Sequence, residues 1–313
     1  MHAYAAKAEP GLSFLQRTAM LSLPAAPRPF RSVLYVPATN ERALAKAATL
    51  ACDAVILDLE DAVAPEDKAR ARMIARSLLE IRHFGARPVI VRVNGFAQDA
   101  DNADLAEDLA VILPAVPDAV LFPKIRFAAD AVRAEQAMAA SLAPDAVRLW
   151  LMIETPQAVL DAAAIASLAA HEGARLEALV LGTNDLAKEM RLTPTPSRLA
   201  LLHALSTVLL AGRAYGLTVL DGVFGDLSNA QGFESEALQG RGLGFDGKTL
   251  IHPGQIEPAN RIFSASDAER SEALAIVQAF EAKANAGKAV LVVNGKMVER
   301  LHYEQSLRIL MSG

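Results

Sequence analysis

Eight short β-rich runs recur from Arg31 onward with helical stretches between them, and that alternation restricts the chain to a parallel-sheet α/β fold. The runs are Ser32–Val36, Ala54–Leu59, Val89–Val93, Ala119–Phe122, Leu149–Ile153, Ala178–Leu181, Thr218–Leu220 and Thr249–Ile251. Ala/Leu/Glu/Arg-rich stretches with helical spacing separate them, among them Glu41–Leu50, Glu66–His83, Ala128–Ser141 and Ser197–Tyr215. Most of the runs are apolar without alternation, as strands covered on both faces are. Eight strand–helix units in series predict a (β/α)8, or TIM, barrel. The competing doubly wound sheet usually carries a glycine-rich turn after its first strand; here that turn is Pro37-Ala38-Thr39-Asn40, without glycine.

A length of 313 residues suits one such barrel, and 52% hydrophobic residues supply a large core. No apolar run reaches the roughly 18 residues of a membrane span. The formal net charge is −5 and the basic residues are scattered, which argues against nucleic acid as a partner. Cys52 is the one cysteine, so no internal disulfide forms; a buried structural thiol and a cytoplasmic location are expected. Residues 1–30 are Ala/Pro-rich and read as a flexible N-terminal extension; Gln16, Arg17 and Thr18 interrupt the apolar residues there, which speaks against a signal peptide. The barrel is placed at 31–262 and a C-terminal extension at 263–313. In that extension Ser266–Ala284 reads as a helix opened by a Ser266/Glu269 capping box. Ala289–Val293 reads as a strand, Asn294-Gly295 as its turn, and Leu301–Leu310 as a final helix. The extension is expected to pack on the barrel, cover its mouth, or cover a neighbouring subunit.

Polar residues gather where each strand leaves for its helix. They are Asp58, Glu60 and Asp61 after the second strand, Arg92 and Asn94 at the third, and Lys124 after the fourth. Glu154 follows the fifth, Asp185 the sixth, Asp221 the seventh and His252 the eighth. Barrel enzymes build their sites at this rim from several strands, so a catalytic site is expected there. Glu154 and Asp185 each close an apolar run, where a carboxylate is costly unless paired, hydrogen-bonded or bound to metal. As a pair on successive strands they point to a hard cation of the Mg2+ type; singly, each could cap the next helix or pair with a buried base. Arg92 suits either a bridge to Asp58 or Glu60 or a bidentate carboxylate ligand. Lys124 either neutralises the acid of the rim or contacts substrate, and His252 is expected to be structural.

Seven stretches in order then resemble one family. They are Arg31-Ser32-Val33-Leu34-Tyr35-Val36-Pro37, Asp58-Leu59-Glu60-Asp61-Ala62-Val63, Val91-Arg92-Val93-Asn94, Pro123-Lys124, Ile153-Glu154-Thr155, Gly182-Thr183-Asn184-Asp185-Leu186, and Gly244-Phe245-Asp246-Gly247-Lys248-Thr249-Leu250-Ile251-His252-Pro253. The chain resembles the CitE-like branch of the HpcH/HpaI aldolases, which holds citrate lyase β subunits, malyl-CoA and citramalyl-CoA lyases, and related thioesterases. The resemblance implies a TIM barrel, Mg2+ on Glu154 and Asp185, and Arg92 on the carboxylate of a keto or hydroxy acid. It implies that Asp58, Glu60 and Asp61 order water around the metal and orient Arg92, with Lys124 beside them. It also implies a CoA thioester and a small keto acid as ligands, and a homo-oligomer, trimer or hexamer, in which the C-terminal extension acts as a lid.

One position departs from the family pattern. Acyl-CoA lyases of this family typically carry an aspartate after a Gly-(Lys/Arg)-Met-Ile stretch in the lid; here Gly295-Lys296-Met297-Val298 is followed by Glu299. Glutamate keeps the acid but moves it by over ~1 Å, enough to retune proton transfer. The alternative is that Glu299 only starts the last helix. The leading expectation is a reversible carbon–carbon lyase. It would cleave a carboxylated 3-hydroxyacyl-CoA, such as malyl-CoA or citramalyl-CoA, to an acyl-CoA plus glyoxylate or pyruvate, with Arg92 holding the carboxylate and Glu299 as acid/base. A thioesterase on the same scaffold is the second expectation. A β subunit acting only within a citrate lyase assembly is the third.

Overall fold

The structure, a computed structural model, describes residues 29–96, 102–193 and 197–311. The extension read at 1–30 therefore lies outside the described residues up to position 28. The first unit, Phe30–Phe263, runs β1 (Ser32–Pro37), α1 (Glu41–Thr49), β2 (Ala54–Asp58), α2 (Lys68–Glu80), β3 (Val89–Arg92), α3 (Ala103–Ile112), β4 (Ala119–Ile125) and α4 (Ala128–Ala140). It continues with β5 (Arg148–Ile153), the short pair α5 (Pro156–Leu160) and α6 (Ala162–Ala166), β6 (Leu176–Leu181), α7 (Thr183–Glu189), α8 (Leu202–Ala214), β7 (Thr218–Asp221), α9 (Ala230–Leu243), β8 (Gly247–Leu250) and α10 (Ile256–Phe263). The eight strands form a closed parallel barrel in sequence order, with β1 paired to β8.

Strand side chains alternate between two apolar layers. Val33, Ala54, Ile56, Ile90, Ala119, Leu121, Trp150, Met152, Ala178, Val180 and Leu220 fill the barrel interior together with Phe30. Their neighbours Leu34, Val55, Leu57, Val91, Val120, Leu149, Leu151, Leu179 and Val219 face the helices. Phe30 meets Trp150 edge to face, with ring centroids 5.1 Å apart. Local caps set the turns between strands and helices. The Asn40 side chain accepts from the Ala43 amide to start α1, and Thr155 Oγ1 accepts from Ala158 to start α5. The latter removes one reading of Glu154, since its neighbour is the cap.

Strand bounds depart from the sequence reading at several ends: β6 begins at Leu176 rather than Ala178, and two further differences, in β8 and β4, have a visible structural setting. β8 begins at Gly247 rather than Thr249, pairing there with Leu220 of β7, and a Cβ at 247 would stand 1.9 Å from the Phe30 carbonyl oxygen. Only glycine lets that backbone approach. β4 runs on through Pro123-Lys124, where its register against β5 shifts between Phe122 and Ile125 and Lys124 adopts a φ of +57°.

The C-terminal residues from Ser264 form a second compact unit. It contains α11 (Asp267–Glu281), the hairpin β9 (Val290–Val293) and β10 (Lys296–Glu299), and α12 (Arg300–Met311). Ser266 and Glu269 make the expected capping box, and Asn294 and Gly295 take the paired positive φ values of a type I′ turn, 50° and 76°. Ala273 and Val277 of α11 pack with Tyr303, Leu307 and Leu310 of α12, while Ile276 packs under Leu291 and Val298 of the hairpin. Across the described residues no helix is long and apolar enough to cross a membrane.

Candidate active site

On β2, β3 and β5 the inward series ends in a charged residue at the carboxyl end of the barrel. Ala54 and Ile56 lead to Asp58, Ile90 leads to Arg92, and Trp150 and Met152 lead to Glu154. Asp58 and Arg92 are direct partners in the β2–β3 register. Arg92 Nε donates to Asp58 Oδ1 at 2.8 Å, its Nη2 reaches Asp58 Oδ2, and its Nη1 lies 2.8 Å from Glu60 Oε2. Asp58 Oδ1 also accepts the Glu60 amide at 2.9 Å, which folds the loop after β2 back over the strand end. Burial works most strongly against the Arg92 charge, yet Asp58 and Glu60 outweigh it and hold the guanidinium above its usual range. Arg92 thus makes the bridge and, with five N–H donors and three in these contacts, keeps two for a ligand.

Lys124 pairs with Glu60 and, at 3.1 Å, with Asp61, its side chain half exposed. Burial, the largest influence on both acids, pushes the Glu60 carboxyl up; at Asp61 the Lys124 ammonium prevails and holds it below the ordinary carboxylate range. The bulge in β4 aims the Lys124 amide at Glu154, whose Oε1 accepts it at 2.6 Å. Among the described residues the other oxygen, Oε2, has no hydrogen-bond partner. Burial raises Glu154 to about 8, the Glu60 and Asp185 charges add to the rise, and the Lys124 amide opposes it. Asp185 lies in the first turn of α7, partly buried.

Two glycines clear the space around these acids. A Cβ at Gly182 would fall 2.4 Å from Glu154 Cβ and 2.6 Å from its Oε2. One at Gly222 would fall 2.4 Å from Thr183 Oγ1, in the turn that carries Asp185. Five carboxylates (Asp58, Glu60, Asp61, Glu154, Asp185) thus share this end with two cationic side chains, Arg92 and Lys124. That excess, the buried Glu154 and its open oxygen fit a small divalent cation held by two carboxylates and completed by water. Among the described residues no group of three or more His, Cys, Asp and Glu side chains surrounds one point.

The rim as read from the sequence is wider than the cluster in the structure. Asp221 points outward from β7, where a Cβ on Gly240 of α9 would meet its carboxylate at 2.8 Å. It binds Lys248 at 2.9 Å and Arg198 at 2.9 Å, an internal ion cluster apart from the mouth. His252 accepts the Gly254 amide through Nδ1 and caps a turn, the structural role expected of it. Asn94 is held by Asp108 and by Lys68, whose ammonium also ties down the Leu59 and Glu60 carbonyls. Glu299 lies on β10 of the second unit, partly buried, with its amide donating to His302 Nδ1 at 3.0 Å. Cys52 is buried. The sequence reading passed over Tyr35, an inward phenol on β1 whose ring lies under the Arg92 guanidinium, 5.1 Å from centroid to Cζ. A phenol in an otherwise aliphatic, doubly covered strand was the available signal.

The family model for HpcH/HpaI aldolase/citrate lyase matches residues 31–253, a span that holds the whole cluster. The chain belongs to this family. A (3S)-malyl-CoA thioesterase of Cereibacter sphaeroides is 49% identical over 274 residues, covering 88% of this chain and 91% of that protein. Citrate lyase subunit beta of Escherichia coli is 33% identical over 274 residues, covering 86% of this chain and 88% of its own length. Among solved structures, CitE from Mycobacterium tuberculosis in complex with magnesium, acetoacetate and coenzyme A superposes with a TM-score of 0.71 at 28% identity, covering 93% of this chain and 100% of that one. The family is one of enzymes, and the barrel of this member is the fold expected from its motifs.

Proposed function

We propose that this chain is a Mg2+-dependent hydrolase of a carboxylated 3-hydroxyacyl-CoA thioester of the malyl-CoA kind. The observation that carries the reading is the buried, acid-rich cluster in which Glu154 and Asp185 stand beside Arg92. It supplies ligands for a hard cation and a fork for a carboxylate within one barrel mouth. The 49% identity to a malyl-CoA thioesterase along nearly the whole chain favours hydrolysis over carbon–carbon cleavage. So does the glutamate at 299, where lyases of the resemblance carry aspartate.

Glu154 and Asp185 hold the cation, which when bound supplies Lewis-acid polarisation of a substrate oxygen. Arg92 holds the substrate carboxylate, and Asp58 and Glu60 fix its orientation and compensate its charge. Lys124 keeps Glu154 in place through its amide. Glu299 accepts a proton from the water that adds to the thioester carbonyl. The carbon–sulfur bond then breaks, the sulfur leaves with a proton as free CoA, and the hydroxy diacid remains.

A product-resolved assay tests this. Malyl-CoA with Mg2+ should yield free CoA and intact malate in equal amounts. Acetyl-CoA and glyoxylate in their place would overturn hydrolysis and establish cleavage, the second reading, which the 33% identity to citrate lyase subunit beta supports. Glu299→Gln should lower kcat by on the order of 10²–10⁴ with a much smaller change in KM, the usual range for an acid/base. Unchanged kcat in that variant would remove Glu299 from the chemistry.

A further inference from the structure

The Tyr35 hydroxyl is a buried donor with no hydrogen-bond partner among the described residues. Its ring accounts for everything a phenylalanine would do at this place: it packs against the interior apolar layer and lies under the Arg92 guanidinium. The oxygen adds nothing to that packing, and a buried hydroxyl left unpaired is destabilising. It is not short of polar surroundings. Arg92, Asp58, Glu154 and Glu60 all act on it electrostatically, so it sits at the level of the candidate site. Asp58, one of these acids, is engaged elsewhere. Asp58 spends one oxygen on Arg92 Nε and the Glu60 amide and the other on Arg92 Nη2. Burial pushes the phenol well above its ordinary range, so the group stays protonated and keeps its capacity to donate.

We propose that Tyr35 is a ligand-positioning residue whose hydroxyl donates to an anionic oxygen of the acid held by Arg92, so that guanidinium and phenol grip one carboxylate together. The class of ligand, a small carboxylated keto or hydroxy acid, rests on the function proposed above. The phenol gives the carboxylate a second direction of hydrogen bonding out of the guanidinium plane. It also satisfies, only when the acid is bound, a donor that is otherwise unpaired. That is differential binding built into the wall of the barrel, in which occupancy of the site removes a penalty the free protein carries.

The test uses the full chain and its Tyr35→Phe variant, with oxaloacetate and malate as probes in Mg2+, read by calorimetry and by thermal unfolding. Removing the unpaired hydroxyl should leave the free protein as stable as the wild type or more so. Affinity for oxaloacetate should fall roughly 10- to 100-fold, the worth of one hydrogen bond to a charged group. Affinity for Mg2+ alone should not change, because Glu154 and Asp185 are untouched. With malyl-CoA the variant should show a raised KM and a kcat changed far less. Equal oxaloacetate affinity in the two proteins overturns the proposal. A variant that loses Mg2+ binding or free-state stability in step with ligand binding also overturns it, since the phenol would then only support the cluster. A wild-type chain that binds neither acid overturns it as well. If the wild type binds the acids and Tyr35→Phe does not, while neither protein hydrolyses malyl-CoA, the functional reading fails and the role of Tyr35 stands.

Discussion

Between β7, β8 and α9, Lys248 and Arg198 meet Asp221 and Glu236, two cations against two anions, with contacts of 2.7–3.3 Å. Lys248 and Asp221 are fully buried, and the Lys248 ammonium is completed by the Gly222 carbonyl at 2.6 Å. At the barrel mouth the same kinds of residue are combined differently. Five carboxylates face Arg92 and Lys124, and among the described residues Glu154 Oε2 and the Tyr35 hydroxyl have no hydrogen-bond partner. The first cluster closes on itself and ties helix to strand. The second keeps polar atoms without partners among the described residues, the feature on which the proposed cation and acid site rests. Burial pushes carboxylates up in both places. At Asp221 the Lys248 and Arg198 charges reverse that push and hold it below the ordinary range, whereas at Glu154 nothing does.

The comparison can be broken most sharply at Lys248. Lys248→Met leaves Asp221 and Glu236 short of a partner in a buried setting, and a loss of about 3–5 kcal/mol in urea unfolding is expected, as for other broken buried pairs. A loss below about 1 kcal/mol would show that the closed cluster does not hold the wall together. Glu154→Gln should do the reverse. Calorimetry should find Mg2+ binding and turnover gone, while the metal-free protein stays folded and no less stable at pH 8.

The two clusters should also part company with pH. Glu154 stands at about 8 in the fold against a reference of 4.5, so the folded state keeps a proton that the unfolded chain gives up. Stability from this group is full below 4.5 and is lost as pH rises towards about 8; Glu154→Gln should lack that slope. Asp221 is held below its reference of 3.8, so its contribution is present above that pH and lost as acid titrates it. If Glu154 holds Mg2+ as proposed, binding would have to displace its proton, and the apparent Mg2+ affinity of the wild type should climb by up to about tenfold per pH unit until about 8. A pH-independent affinity between 6 and 8 would contradict the state assigned to Glu154.

Smaller effects sharpen the picture of the mouth. Arg92→Lys keeps the charge but loses the fork, and should raise KM for a carboxylated thioester roughly tenfold, about one charge-assisted hydrogen bond. Lys124→Gly should matter least. Its positive φ suits glycine, the amide on Glu154 stays, and the lost pairs with Glu60 and Asp61 are exposed at the lysine end; a change under about 1 kcal/mol is expected.

Most of the barrel was legible because doubly covered strands leave an apolar signature that needs no tertiary knowledge. The errors fall where a single residue depends on a distant contact. The eighth strand reads from Thr249, whereas it begins at Gly247, which pairs with Leu220 and where Phe30 passes too close for a Cβ. Asp221 reads as one more acid at the rim, since inward and outward differ by one position and its partners Lys248 and Arg198 lie 27 and 23 residues away. Asp58, Glu60, Asp61, Arg92, Lys124, Glu154 and Asp185 were all named from strand ends, and the structure brings them to one end of the barrel. Which of them pair with one another, and which are left open, depends on register and on the β4 bulge, neither of which the pattern encodes. Tyr35 escaped because its hydroxyl's lack of a partner among the described residues shows only in the structure.

Gly182 has a use beyond this molecule. Any side chain there collides with the Glu154 carboxylate itself, so the site tolerates no enlargement at a residue that does no chemistry. Catalytic residues can be exchanged for similar ones and leave a sequence reader uncertain whether activity was lost or retuned. A missing hydrogen-only position is harder to misread. In a barrel of this design, a glycine one residue beyond the sixth strand beside a glutamate one residue beyond the fifth would act as a password for room at that glutamate, and so for the cation site proposed there; a bulkier residue would mark a scaffold in which the glutamate has had to move.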